Sequence, residues 1–220
     1  MSFRALQMGT AHLERAQQFW TKTMGLEELS SGPDSVTLAA GATHWTLTQA
    51  QTPPAIAHFA FTIPENLFDE AVAWLREHAP LLSGSDGKEL FDFSHWNAHA
   101  VYFTDPDGNI AELIARHTLP NSRRENFEIL GISEIGLVTD DVPGTVASLG
   151  LPLYRQGGTQ FQPVGDEEGL LIVVQHNRPW YPDNRHPAQP IPLTVTLMDG
   201  QMITTGPPIG ELVPAFYPVA

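Results

Sequence analysis

Residues 101–113, VYFTDPDGNIAEL, read as two strands folded on a tight turn. Asp105-Pro106-Asp107-Gly108-Asn109 gathers the residues that hairpin turns use: Pro presets one dihedral and Gly108 accepts a positive φ. The turn sets the strand register, and register decides which face each side chain occupies, because a one-residue slip turns every side chain over. In a regular return strand, Glu112 shares a face with Ile110 and Ile114. A carboxylate in that company is costly unless it is paired or bound to a cation. The other reading is a solvated face, which antiparallel sheets commonly keep. Asp107 is turn structure in either case.

Outward from this hairpin, two breaks divide the chain: QAQTPPA (49–55) and TLPNSRRENF (118–127). The first piece, 1–50, opens with the strand FRALQM. Its helix carries Leu13, Ala16, Trp20 and Met24 at helical spacing, with Gly25 placed to end it. Strands LEELSS, SVTLAA and HWTLTQ follow. The second piece, 55–118, runs from IAHFAFTI through a helix striped by Leu67, Ala71, Trp74 and Leu75 to the hairpin above. The third, 128–175, is weaker: GISEIGLVT, the short helix DVPGTVASLG, then LPLYRQ, TQFQPV and LLIVVQ, with GDEEG as the last turn. Strand-helix-strand-strand-strand thus recurs at a period of roughly 60 residues, as in pieces that cannot bury their faces alone. Residues 176–220 break the pattern. They form a Pro-rich wrapping extension with one hairpin, LTVTLMDGQMIT. The expected fold is α+β, with repeated βαβββ modules in curled mixed sheets around a cleft.

Composition excludes several functions. Apolar content of 42% with 16% charged residues describes a folded domain, and nothing approaches the about 18 uninterrupted apolar residues of a membrane span. A net charge of −14 with only 11 Lys and Arg argues against nucleic acid, and no basic amphipathic helix offers a membrane surface a hold. The N-terminus lacks the basic-then-apolar pattern of a signal peptide, and with no cysteine there is neither a disulfide framework nor a thiolate site. A cytoplasmic location is expected. Nucleophile-elbow, Walker, H-E-x-x-H and dinucleotide motifs are all absent, and GDEEG lacks calcium-loop spacing. The nine His and the carboxylates are the good ligands on offer for a borderline or hard metal.

The stretches HLERAQQFWTKTMGLEEL (12–29), AHFAFTIPENLFDEAVAWL (57–75) and above all VYFTDPDGNIAEL resemble the vicinal oxygen chelate superfamily. That family includes glyoxalase I, extradiol dioxygenases, thiol transferases and bleomycin-binding proteins. The resemblance implies paired βαβββ modules whose sheets curl around a divalent metal. It places a His on a module's first strand and a Glu on its last, positions filled here by His58 and Glu112. In the first module, counting back from the helix start puts Ala5 at the His position, and Trp45, with His44 beside it, lies near the Glu position. The same count in the third module puts Glu134 at the His position, while LLIVV has no ligand. A set of His58, Glu112 and Glu134 is complete only if the second and third modules face each other.

Beside each reading stands a plainer one. His58 alternates with Ala60 and Thr62 and suits Fe, Mn, Zn or Ni, or else it is hydrogen-bonded inside a barrel. Glu134, between Ser133 and Ile135, is a third ligand or a strand-edge acid. His99, opening the strand before the turn, could act as acid or base, replace a missing ligand, or cap the sheet edge. Tyr102 lines the cleft or fills the core, and Trp180-Tyr181 latches a module edge or stacks on a ligand. The resemblance implies a metal-dependent enzyme, a lyase or dioxygenase, acting on a small molecule through adjacent oxygens. A non-catalytic binder of the bleomycin-resistance type is the alternative. Three modules for a two-module cleft make a homodimer the assembly to test.

Overall fold

The chain begins with β1 (Phe3–Thr10), α1 (Leu13–Gln18), β2 (Glu27–Ser31), β3 (Ser35–Ala40) and β4 (Thr43–Gln49), the order its periodicity requires. The structure is a computed structural model, and it describes residues 1–124 and 126–206. Beyond α1 the helix continues as a π-helical turn, Phe19–Thr23, and stops at Gly25, whose φ is 76°. Ala16, Trp20 and Met24 of the expected stripe are buried.

The second unit is β5 (His58–Ile63), α2 (Phe68–His78), β6 (Leu90–Phe93), β7 (Ala98–Thr104) and β8 (Ile110–Arg116). Asp69 and Glu70 in the first turn of α2 and Arg76 and His78 in its last complement the helix dipole. Ala71, Val72 and Leu75 supply its buried face. The turn from β7 to β8 is built by its own side chains. Asp105 Oδ1 accepts from the N–H of Asp107 (2.9 Å) and of Asn109 (2.8 Å), and Gly108 takes φ 84°. Asn109 Oδ1 in turn accepts from the N–H of Ala57 at 2.8 Å, pinning the turn to the residue before His58. Asp107 Oδ2 accepts from Thr10 Oγ1 (2.5 Å) and Ala11 N–H (3.0 Å), at the end of β1. A stretch expected to set one register therefore also ties its hairpin to β5 and β1.

The third unit is β9 (Gly131–Thr139), α3 (Val142–Leu149), β10 (Phe161–Asp166) and β11 (Gly169–Gln175), with the GDEEG turn between the last two. Asp141 caps α3 by accepting from Gly144 N–H at 2.9 Å, and Gly150 ends it at φ 64°. The expected strand LPLYRQ is not one. It makes a single bridge, Leu153 to Val164, because Pro152 lacks a donor and Arg155 turns the backbone to φ 59°. Within the Pro-rich extension the expected hairpin forms as β12 (Leu193–Leu197) and β13 (Met202–Thr205), and residues 207–220 lie outside the described residues.

These strands make two sheets. One is ordered β13-β12-β1-β4-β3-β2 and the other β10-β11-β9-β5-β8-β7-β6. In the first, β1 is parallel to β4; in the second, β5 is parallel to β8 and β9 to β11. The sheets turn their helix-bearing faces toward one another around a shared core. Trp20 stands at its centre, with ring centroids 4.7 Å from Trp45 and 5.4 Å from Phe61. Phe59 and Phe61 point into this core, so His58 and Ala60 point out of the opposite face.

Candidate metal centre

Register brings the candidate ligands together. On the outer face of the seven-stranded sheet, Ala60 of β5 pairs with Glu112 of β8 on one side and with Glu134 of β9 on the other. His58 lies on the same face one step along β5. His58, Glu112 and Glu134 are all buried, and a nitrogen of His58 and a carboxylate oxygen from each Glu lie within 4.8 Å of one another. His58 Nε2 is 3.5 Å from Glu112 Oε2 and 4.0 Å from Glu134 Oε2. One chain supplies all three, brought together because β5 and β9 pair antiparallel.

Each ligand is held from behind. His58 Nδ1 lies 3.1 Å from the carbonyl oxygen of Ile110, so Nδ1–H donates there and the Nε2 lone pair faces the carboxylates. Arg116, fully buried, donates from Nη2 to Glu134 Oε1, leaving Oε2 for the cleft. Tyr102 stands opposite Glu112 in the ladder, beside its carboxylate. Burial pushes the carboxyl of Glu112 well above the usual range, and the charge of Glu134 adds to that rise. Burial also raises Glu134, while Arg116 pulls it back. His58 is held down to about 4 by loss of water, so the imidazole is neutral at pH 7.

These facts test the fit of a cation. Glu112 is only 2% exposed, makes no ion pair with Lys or Arg among the described residues, and faces a neutral imidazole. A buried carboxylate so placed either keeps a proton or binds a cation. Two carboxylates and one imidazole are a sound donor set for a divalent ion. The residues fit.

Above them is a cavity of about 210 Å³. Phe93, Trp96, Tyr102, Phe161 and Ile172 wall it, and Arg178, Trp180 and Tyr181 close it from the C-terminal extension. Trp180 reaches in because Gly136 is opposite; a Cβ there would lie 2.5 Å from the indole Cη2.

His99 does not join them. It lies on the other face of β7 from Tyr102, packs on Phe68 with ring centroids 5.5 Å apart, and meets His117 Nε2 at 2.8 Å. The sheet itself separates it from the cleft, so the structure does not bring His99 together with His58, Glu112 and Glu134. The first unit is corrected. Its parallel ladder starts at Ala5↔His44, as the second starts at His58↔Ile110, so Thr46 and not Trp45 answers to Glu112. Trp45 is in the core.

Sequence reasoning missed Arg116, Arg178, Phe93, Trp96 and Phe161. Arg116 had a signal, since 112, 114 and 116 alternate onto one face. The others are brought in by tertiary contact, with no local pattern to mark them.

Comparison with known proteins agrees with this fold. Residues 3–113, half of the chain, match the family model for the glyoxalase/bleomycin resistance protein/dioxygenase superfamily. The chain belongs to this superfamily. Its relatives include the metallothiol transferase FosB of Staphylococcus epidermidis, 29% identical over 107 residues, which cover 46% of this chain and 72% of that protein. Two solved structures share the fold at 15% identity. A proposed dioxygenase from Bacillus subtilis matches with a TM-score of 0.58 over 79% of this chain and 63% of its own. Glyoxalase I from Zea mays matches with a TM-score of 0.52 over 79% of this chain and 66% of its own. This superfamily member therefore spans about two thirds of those two proteins. No helix among its described residues is long and apolar enough to cross a membrane.

Proposed function

We propose that the chain is a divalent-metal-dependent enzyme acting on a small molecule through adjacent oxygens, with the ion held by His58 Nε2, Glu112 and Glu134. The observation that carries this reading is Glu112, a buried carboxylate with no Lys or Arg ion pair among the described residues, beside an imidazole whose free nitrogen faces it. Such an ion supplies Lewis acidity to two neighbouring oxygens, enough to stabilise an enolate or activate dioxygen. The protein's own part is orientation. Ile110 fixes the His58 tautomer, Tyr102 flanks Glu112, and Arg116 engages one oxygen of Glu134 so that the other faces the cavity. The aromatic walls exclude water, which strengthens every charge interaction inside. The ligand set is common to lyases, dioxygenases and transferases, so the proposal stops at this class of chemistry.

The test is metal content of untagged protein incubated with Fe, Mn, Ni or Zn, beside a His58→Ala, Glu112→Ala double variant. One equivalent is expected in the parent, with affinity at least about 100-fold weaker in the variant. Retention by the variant would overturn the ligand set. No stoichiometric metal in the parent would leave an aromatic binding pocket, the bleomycin-resistance type of function, which the ring-lined cavity favours as the second reading.

A further inference from the structure

Arg178 is a cation without an assigned task. It lines the same cavity as His58, Glu112 and Glu134, half-buried, with its guanidinium 4.9 Å above the Phe161 ring. Its side chain makes a long hydrogen bond, from Nη1 to the carbonyl of Pro179 at 3.4 Å. Among the described residues no carboxylate comes within ion-pair distance of it, in a chain where 25 acids outnumber 11 Lys and Arg. Loss of water penalises its charge. A guanidinium is a planar fork of donors suited to a carboxylate, and stacking on Phe161 holds that plane in place.

The rest of the cavity narrows the ligand. Phe93, Trp96, Phe161, Trp180 and Tyr181 present ring surfaces, which favour a flat apolar body. Charge points the same way. Glu112 and Glu134 against Arg116 leave one negative charge when both acids are ionised; a divalent ion and Arg178 turn the lining cationic.

We propose that Arg178 is a specificity-determining residue that binds the carboxylate of a flat aromatic ligand in this cavity. The subsite deepens the metal-centre reading, on which only the adjacent-oxygen end of the ligand depends. Arg178 lies beyond residues 3–113, in the C-terminal extension.

The test uses 3,4-dihydroxybenzoate and its neutral amide as probes, titrated calorimetrically into full-length protein loaded with zinc, which does not turn over by redox. The acid is expected to bind about tenfold tighter than the amide or better. Arg178→Met is expected to bring the ratio to one, chiefly by weakening binding of the acid. Arg178→Lys, which keeps charge without the fork, is expected to give an intermediate ratio. Equal binding of the two probes by the parent, an unchanged ratio in Arg178→Met, or no binding of either probe would overturn the proposal. Repeating the titrations without zinc separates the two readings. An acid preference that persists while both affinities fall supports both, and one that persists with affinities undiminished sinks the metal centre and keeps the Arg178 subsite.

Discussion

The two sheets share a topology and differ in what their outer faces hold. In each, a first strand lies between a parallel partner and an antiparallel one: β8-β5-β9 in one sheet, β4-β1-β12 in the other. Aligning the starts of the parallel ladders sets Ala5, Thr46 and Thr194 where the other sheet has His58, Glu112 and Glu134. The threonine face satisfies itself: Thr46 Oγ1 lies 2.9 Å from Thr37 Oγ1, and Thr194 Oγ1 lies 3.3 Å from Thr204 Oγ1. The ligand face cannot, because Arg116 is paired with Glu134 and leaves Glu112 without a positive charge to balance it. Topology supplies a scaffold for a site twice, and side-chain chemistry uses it once.

The largest effect that would sharpen this contrast is expected from Arg116→Met. It leaves Glu134 buried without its counter-charge, and urea titration of metal-free protein should show a loss of about 3–5 kcal/mol. Adding Glu134→Met should restore most of it; a loss under about 1 kcal/mol for the single change would mean Glu134 is not held as an anion.

Acid comes next. With His58 down at about 4 against 6.5 unfolded, the unfolded chain binds the proton more readily across that window. Metal-free protein is therefore expected to be fully stabilised by this group above pH 6.5. It should lose about 3 kcal/mol as pH falls to 4, with no further loss from His58 below that. His58→Gln should flatten the profile, and an unchanged slope in that variant would assign it to other groups.

Smaller still is Gly136→Ala, which pushes on the Trp180 ring and should cost about 1–3 kcal/mol in thermal unfolding. Combining it with Trp180→Ala should remove the clash, so the two costs should not add. The least effect is expected on the threonine face. Thr46→Val should change stability by about 1 kcal/mol or less and leave metal content untouched. Metal loss in that variant would break the contrast between the faces.

Much of this could be read along the chain. Gly25, Gly108 and the period-2 and helical stripes mark where elements start and stop, because those signals are local steric preferences. Glu112 stood out for the same reason: it interrupts an apolar row. LPLYRQ misled because its residues favour strand while Arg155 takes a left-handed turn that no neighbour announces. His99 misled because a strand has two faces, and only the core's position tells which one meets the cleft.

By itself, then, the sequence determined the repeating strand-helix-strand order, the tight turn at Asp105–Asn109 and the phase that puts Glu112 with Ile110. Those depend on dihedral preferences and on the alternation of apolar residues over a few positions. Tertiary structure alone decided that β9 pairs with β5, so that Glu134 joins His58, and that Arg178 and Trp180 fold back over the cleft. Pairing of distant strands is chosen by burial of whole faces, a sum over the molecule that no short stretch encodes.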